Sequence, residues 1–536
     1  MPEQCGHGDG CSCAAGASQP QQPQSFAPHP YQVSGGSQPS WASTVGSPRR
    51  RRRWPYRLAG LTAVATAVAV AVLITIQVSG DDNGGGVPAK VARQAQAASD
   101  GNAGAANAGG AGDQAAVDTA ASGGTGFNLA GADLTKGAVF LQSNDEVANK
   151  VVAFARGADG GLTEVGRYPT GGTGTGSFED SADGIVLGTA DGEISPVQNL
   201  DQAPQLLFVS NAGSGTITVF HVRPNGLEKI SETPSGGHRP VSLTVNNGIL
   251  YVLNSGEVDR RLILGPTTAL ENCAHDTLPS VTGFRVTPDG TLQAIPGSTR
   301  LLSGLQRSGC AQVSFTPDGR HLVVTERITS VAGPEKGALD VFDVQYDGTL
   351  GNRQINVPSG AGPFGFTFTR DGKLITSEQN GGFGNPGHGE ASSYTVNPDG
   401  TLNRISKAVA NGETDSCWIT VTRDGKLAFV ASPFGDGRIA SYTVSLTGQL
   451  TLQHEVASAA DGKSSTKDDI TDGATDLALS YDSKYLYQLN SFTGELVVFK
   501  VNPATGHLNH VETHQVFTLE PFGAGGEAAP FGIAAI

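Results

Sequence analysis

The sequence is poor in charge, in recognisable catalytic signatures and in long apolar runs. Only 16% of its 536 residues are charged, while 74 are glycine, a balance that suits an all-β protein full of tight turns. Lys and Arg number 35 against 50 Asp and Glu, for a formal net charge of −15. Such an acidic field repels phosphate and argues against nonspecific binding to nucleic acid. There is no nucleophile elbow, no zinc-protease helix and no dinucleotide fingerprint. Gly171 to Ser177 is glycine-rich but lacks the Lys-Ser/Thr of a phosphate loop, and reads as a loop between repeats. The first 48 or so residues have almost no aliphatic side chains and cannot bury enough apolar area to offset the entropy of ordering them. One run alone is long and apolar enough to cross a bilayer.

That run is Leu58 to Val78, 21 uncharged residues that span about 30 Å as a helix. Arg49 to Arg53 and Arg57 precede it and Asp81-Asp82 follow. This asymmetry places the N-terminus in the cytoplasm and the remainder outside. A cleaved signal peptide is the competing reading, but the run is long for one and no small-x-small site directly follows it. A twin-arginine signal would also deliver the domain outside. The expected organisation is a disordered cytoplasmic tail with a basic cluster (1–57), a transmembrane helix (58–78), a flexible Ala/Gly-rich linker (79–130) and a folded domain (131–536). Cys5, His7, Cys11 and Cys13 in the tail lack the paired spacing of a zinc finger and read as incidental. No cofactor and no metal are expected.

The folded part repeats one unit, complete from Gly360 to Leu402. Phe364, Phe366 and Phe368 alternate with small or polar residues, the period of a strand. Asp371-Gly372 then signals a hairpin, Leu374 to Glu378 returns, and Ser392 to Val396 makes a third strand. Asn397-Pro398-Asp399-Gly400 turns the chain into a fourth. Four short antiparallel strands are the pattern of one propeller blade. The unit recurs seven times, with Phe154, Phe220, Phe284, Phe342, Tyr394, Tyr442 and Phe499 in register. The first unit lacks its inner strand, and Pro530-Phe531-Gly532-Ile533 repeats Pro363-Phe364-Gly365-Phe366. The expected fold is therefore all-β: a seven-bladed β-propeller closed by the C-terminal strand. The inner strand of the second blade is expected from Ile185 to Gly188.

Ligands of propellers bind at the axial mouth. Aligning the ends of the second strands gives Asn144, Asn211, Asn254, Glu326, Glu378, Ser432 and Asn490. Strand-end Asn and Ser also cap turns. Glu326 and Glu378 are the carboxylates of the set. His238-Arg239, before an inner strand, offers a proton acceptor and an oxyanion partner.

The phrases FTPDGRHLVVTE and FRVTPDGTL, with Gly-Gly before inner strands at 171–172 and 236–237, resemble the seven-bladed lactonase-like propellers typified by bacterial 6-phosphogluconolactonases and fungal carboxymuconate cyclase. The resemblance covers Gly137 to Ile536. It implies a hydrolase opening a lactone or cyclic ester, with Glu326 matching the family's Glu. Ser308-Gly309-Cys310-Ala311 stands where the family has Gly-Pro-Arg-His. Glu326 and His238 are thus the acid/base candidates and Arg239 the electrostatic stabiliser, with Glu378, Asn211, Asn254 and Asn490 lining the substrate. The other reading is a non-catalytic, monomeric surface propeller binding a glycan, peptide or partner protein.

Cys273 lies in an insertion (Gly256 to Ser280) and Cys310 opens the next blade, so a Cys273–Cys310 bridge is expected in an oxidising compartment, with Cys417 free. Asp468, Asp469, Asp472 and Asp476 lack the Gly and Glu of a calcium loop and read as a solvated acidic loop.

Overall fold

A computed structural model describes residues 133–176, 178–189, 206–256, 278–304, 308–327, 336–382, 385–434, 438–455, 457, 473–519 and 529–536. The expected tail, membrane helix and linker lie outside the described residues, as do Cys273, Asp468, Asp469 and Asp472. Among the described residues no helix is long and apolar enough to cross a membrane.

The repeat seen in the sequence is the repeat of the structure. In the fifth blade, strands Pro363–Phe368, Lys373–Glu378, Glu390–Val396 and Leu402–Ala410 pair antiparallel in chain order. Asp371-Gly372 forms the first hairpin: Gly372 has φ +84°, the left-handed conformation that the Asp-Gly pair foretells. Thr369 Oγ1 donates to Asp371 Oδ1 (2.6 Å) and accepts from Lys373 N (2.9 Å), closing the turn with side chains. The same Thr-x-Asp bond closes the turns at Thr316/Asp318 and Thr422/Asp424. All seven aromatic residues in register are buried in third strands.

The ring has seven sheets. In the first, Ala138–Gln142, Lys150–Arg156 and Leu162–Pro169 are completed by the C-terminal Ile533–Ala535. Val139 pairs with Ala535 and Leu141 with Ile533. The closing strand begins two residues later than Phe531. That ring is buried instead against Gly184, where a Cβ would stand 2.4 Å from it. Ile185–Gly188 is the inner strand of the second blade, as expected. The third blade is irregular: its outer edge is split into Leu292–Ala294 and Arg300–Leu301, both paired with Ser280–Val286.

Cores lie between blades, where both faces of the inner and second strands are covered. Phe364, for example, meets Trp418 of the sixth blade edge-on at 5.0 Å. Gly365 between two of the phenylalanines lets Cys417 O approach its N–H to 2.9 Å; a Cβ there would stand 2.5 Å from that oxygen. Inner strands of all seven blades line an axial cavity of about 170 Å³. At one end of the axis lie the inner hairpin turns (the hairpin end). At the other lie the starts of inner strands and the ends of second strands (the loop end).

Candidate functional site

Asn211, Asn254, Glu326, Glu378, Ser432 and Asn490 each end a second strand and each is buried. Their side chains serve the fold rather than the axis. Glu378 accepts Gly360 N (2.7 Å) and Ser392 Oγ (2.7 Å). Glu326 accepts Ser303 Oγ at 2.7 Å, and its charge, after burial, helps push Asp340 well above the usual carboxylate range. Asn211 donates to Thr218 Oγ1 and accepts from Asn149 Nδ2, both 2.9 Å. Asn254 reaches Ser235 O at 3.5 Å and Ser432 meets Ser416 Oγ at 3.0 Å. Asn490 Oδ1 accepts from Gln488 Nε2 at 2.5 Å. Four of these bonds, to Gly360, Ser303, Ser235 and Ser416, fasten the loop that enters the blade to its second strand, the capping role open to such residues. Asn144, two residues past its strand, accepts Thr175 N at 2.9 Å, from the loop that leaves its blade for the second.

Because side chains alternate across a strand, a neighbour one position on faces the opposite way. Arg327 follows Glu326 and Gln379 follows Glu378, and each turns to the face of the next blade, Arg327 over Phe364 and Gln379 to Cys417. Arg327 is fully buried, donates Nε–H to Gly309 O (2.9 Å), lies 5.1 Å over the Phe364 ring and pairs with Asp180. Gln379 Nε2 donates to Cys417 Sγ at 3.3 Å, and that thiol lies 3.6 Å from Asp415 Oδ1.

His238 and Arg239 part company. His238 is exposed, while Arg239 is buried and its Nε and Nη2 both reach Glu179 Oε2 at 2.7 Å. The sequence-derived trio of Glu326, His238 and Arg239 is thus dispersed: Glu326 serves Ser303, and Arg239 belongs to a different cluster. Cys417 is a buried free thiol, as expected. Cys310 is not a free thiol; its expected partner Cys273 lies outside the described residues.

The cluster that does form at the loop end is organised by a segment the sequence reading passed over, Phe178 to Asp183, just before the second blade. It crosses the axis. Ala182 N donates to Ala311 O (3.1 Å) of the fourth blade, Trp418 Nε1 of the sixth donates to Ser181 O (2.9 Å), and Leu243 N of the third donates to Asp183 O (2.8 Å). Glu179 and Asp180 thereby meet Arg239 and Arg327. Each arginine nevertheless keeps one buried N–H without an acceptor among the described residues, Nη1 of Arg239 and Nη2 of Arg327.

Burial governs the acids here. It pushes Asp415 up to about 7, helped by the charge of Asp180 and opposed by Arg327. Asp180 is raised by burial although Arg327 holds it down. Burial and then Asp415 raise the Cys417 thiol well above its ordinary value, so it stays protonated and is a poor nucleophile. Asp183, Arg239 and Asp415 all hold left-handed φ (60°, 56° and 63°), a strain that persists where surrounding structure over-determines it. Asp476 belongs neither to an acidic loop nor to this cluster: its carboxyl accepts Leu477 N (2.9 Å) and Ile533 N (3.2 Å), fixing the closing strand.

The sequence matches no protein-family profile and no curated protein. Solved structures do share the fold. The periplasmic gluconolactonase PpgL of Pseudomonas aeruginosa is 17% identical, with TM-score 0.51 over 75% of this chain and 99% of that one. A 6-phosphogluconolactonase candidate from Bacteroides fragilis is 16% identical, with TM-score 0.49 over 76% and 99%. A hypothetical selenium-binding protein of Sulfolobus tokodaii is 13% identical, with TM-score 0.50 over 74% and 93%. The neighbours thus include 6-phosphogluconolactonase-like seven-bladed propellers, and the chain has their fold. The differing names of these neighbours mean that the fold alone selects no reaction.

Proposed function

We propose that the chain is a lactonase-type hydrolase that opens a lactone or similar cyclic ester at the axial cluster of Arg239, Arg327 and Asp415. The observation that carries this reading is the buried N–H of Arg327 left without an acceptor near Asp415, whose carboxyl burial pushes up to about 7, with a second such N–H on Arg239, which also acts on Asp180. Asp415 in its ionised form takes a proton from water as the water oxygen attacks the ring carbonyl. The carbonyl oxygen, now an oxyanion, is held by Arg327 Nη2–H and Arg239 Nη1–H, donors already desolvated and fixed. Collapse breaks the ring C–O bond, and the proton passes from Asp415 to the departing alkoxide, leaving a hydroxy acid. In this scheme Glu326 and Glu378 are structural, and Cys417 stays a spectator thiol. The gluconolactonase name of the Pseudomonas neighbour supports the same substrate class.

The placement inferred from the sequence accompanies this reading: an uncleaved anchor at 58–78, a cytoplasmic N-terminus and a monomeric propeller outside. A second reading, a non-catalytic propeller for a glycan, peptide or partner protein, is favoured by Glu179 and Asp180 already occupying other N–H groups of the same arginines. Turnover of a panel of γ- and δ-lactones, followed by acid release at constant pH, separates the two. The hydrolase reading expects Asp415→Asn to lower kcat by about 100-fold or more, and Glu326→Gln to leave it within about two-fold. A folded protein with no turnover on any lactone would overturn it in favour of the binding platform.

A further inference from the structure

The Phe178–Asp183 segment has two chemically different ends. Its Glu179 and Asp180 meet the arginines at the loop end of the axis. Asp183 instead lines the axial cavity, to which Asp415, Arg239 and Arg327 do not contribute. We infer that this cavity is a second binding site, separate from the arginine cluster, for a small protonated amine with an apolar body.

The walls set the apolar requirement. Leu187, Val245, Phe366, Val421 and Leu479 line the channel from five different blades, with Thr244, Ser314 and Thr367 hydroxyls between them. A cavity of about 170 Å³ holds about six waters, or one small molecule in their place. Exchanging waters against these apolar side chains for a hydrocarbon body is favourable.

Asp183 sets the charge. It carries the one side-chain carboxylate among the described lining residues, and it keeps part of its surface open to the channel. Its backbone is locked in the left-handed region at φ +60° by the bond from Leu243 N. Oδ2 accepts Gln312 Nε2 at 2.5 Å. Gln312 has no freedom to do more: the same Nε2 donates to Phe366 O (2.9 Å) and its Oε1 accepts Phe366 N (2.6 Å). Among the described residues no donor meets Asp183 Oδ1. A buried carboxylate half satisfied by a fixed amide and open to a channel of mixed apolar and hydroxyl lining calls for a donor that is also positive.

Alternatives fit less well. An anion would be repelled by the Asp183 charge, and a lactone offers the carboxylate only acceptors. A divalent metal needs several oxygen ligands, and among the described residues no group of three metal-ligating side chains forms. Arg423 is the cation at the hairpin end, its guanidinium laid 4.0 Å over the Tyr481 ring. It stands about 15 Å from Asp183 along an inner strand and leaves the floor to the carboxylate.

Burial pushes Asp183 up to about 7, against the hydrogen bond from Gln312. The groups facing it are Asp476 of the seventh blade and Gln312 of the fourth, while Glu179 and Asp180 of its own segment turn to Arg239 and Arg327. An ammonium bound at Oδ1 favours the ionised form, so amine binding near pH 7 releases a proton from Asp183.

The test is calorimetric titration of the full chain with cyclohexylamine, cyclohexanol and cyclohexanecarboxylate. The expected result is saturable binding of the amine, at least ten-fold weaker binding of the alcohol and none of the acid. Asp183→Asn should weaken amine binding at least ten-fold; asparagine tolerates the left-handed φ, so the fold is kept. Ser314→Phe, which fills the channel from the fourth blade, should abolish amine binding while lactone turnover persists. That outcome also separates failure of this site from failure of the hydrolase reading. No binding of the amine, equal binding of the alcohol, or unchanged affinity in Asp183→Asn would each overturn the proposal.

Discussion

Replacing Arg327 with methionine tests the axial cluster most directly. Methionine keeps the apolar stem against Phe364 and removes the guanidinium, which is fully buried and pairs with an Asp180 side chain only 3% exposed. Removing one partner of a buried pair typically costs about 3–5 kcal/mol, because the remaining charge is left uncompensated. Asp180 sets an upper limit on the charge part of that cost, since it can take a proton. From an ordinary value of 3.8, protonating it at pH 7 costs about 4.4 kcal/mol, at 1.36 kcal/mol per unit. At pH 5 the same limit is about 1.6 kcal/mol. The sign follows from proton binding: the variant's folded state holds a proton on Asp180 that the unfolded state releases above 3.8, so the penalty grows as pH rises. Urea unfolding of the full chain, followed by tryptophan fluorescence, should therefore show a large loss at pH 7 that shrinks toward pH 5. Arg327→Met with Asp180→Asn should recover most of it. A penalty below about 1 kcal/mol at pH 7, or one unchanged between pH 5 and 7, would refute the buried-pair reasoning.

Other expectations follow from the same structure. Asp183, Asp415, Glu378 and Glu413 are all raised to about 7, chiefly by burial. The folded state thus binds protons more tightly than the unfolded one between about pH 4 and 7, and the urea midpoint should rise as pH falls from 8 to 5; a midpoint that rises with pH over that range would contradict this. Phe531→Ala should cost about 3–5 kcal/mol as a buried aromatic truncation, read from the same titration, and a loss under 1 kcal/mol would deny Phe531 its packing role. Cys417 should resist Ellman's reagent in the folded chain and react only on unfolding, because burial and Asp415 keep it protonated; rapid reaction of the folded chain at this residue would contradict that environment.

The architecture was legible because it is written locally. Thr369, Asp371 and Gly372 make a turn from their own side chains and conformations, and the aromatic of each third strand is buried wherever the phrase recurs. The closing strand was legible in the same way, although its pairing begins at Ile533 rather than Phe531. The axial cluster was harder to see, for two physical reasons. Alignment at strand ends selected Glu326 and Glu378, while alternation turns their successors Arg327 and Gln379 to the next blade, where they meet Asp180 and Cys417, so one residue of offset passed over the cluster. Phe178 to Asp183 has no periodicity at all. Its contacts reach Ala311 and Trp418, far along the chain, and nothing local marks them. Arg239 was identified, but its partner Glu179 was not.

The sheet shared by the two ends of the folded region also fixes an order of events. Val139, Phe140 and Leu141 are made early, yet their neighbours Ile533 to Ala535 emerge nearly four hundred residues later. Until then the first blade carries a naked apolar edge, ready to template a neighbouring chain. Completion of the ring is therefore a late, long-range step and slow by topology. A nascent chain needs shielding along that edge until its last strand is made.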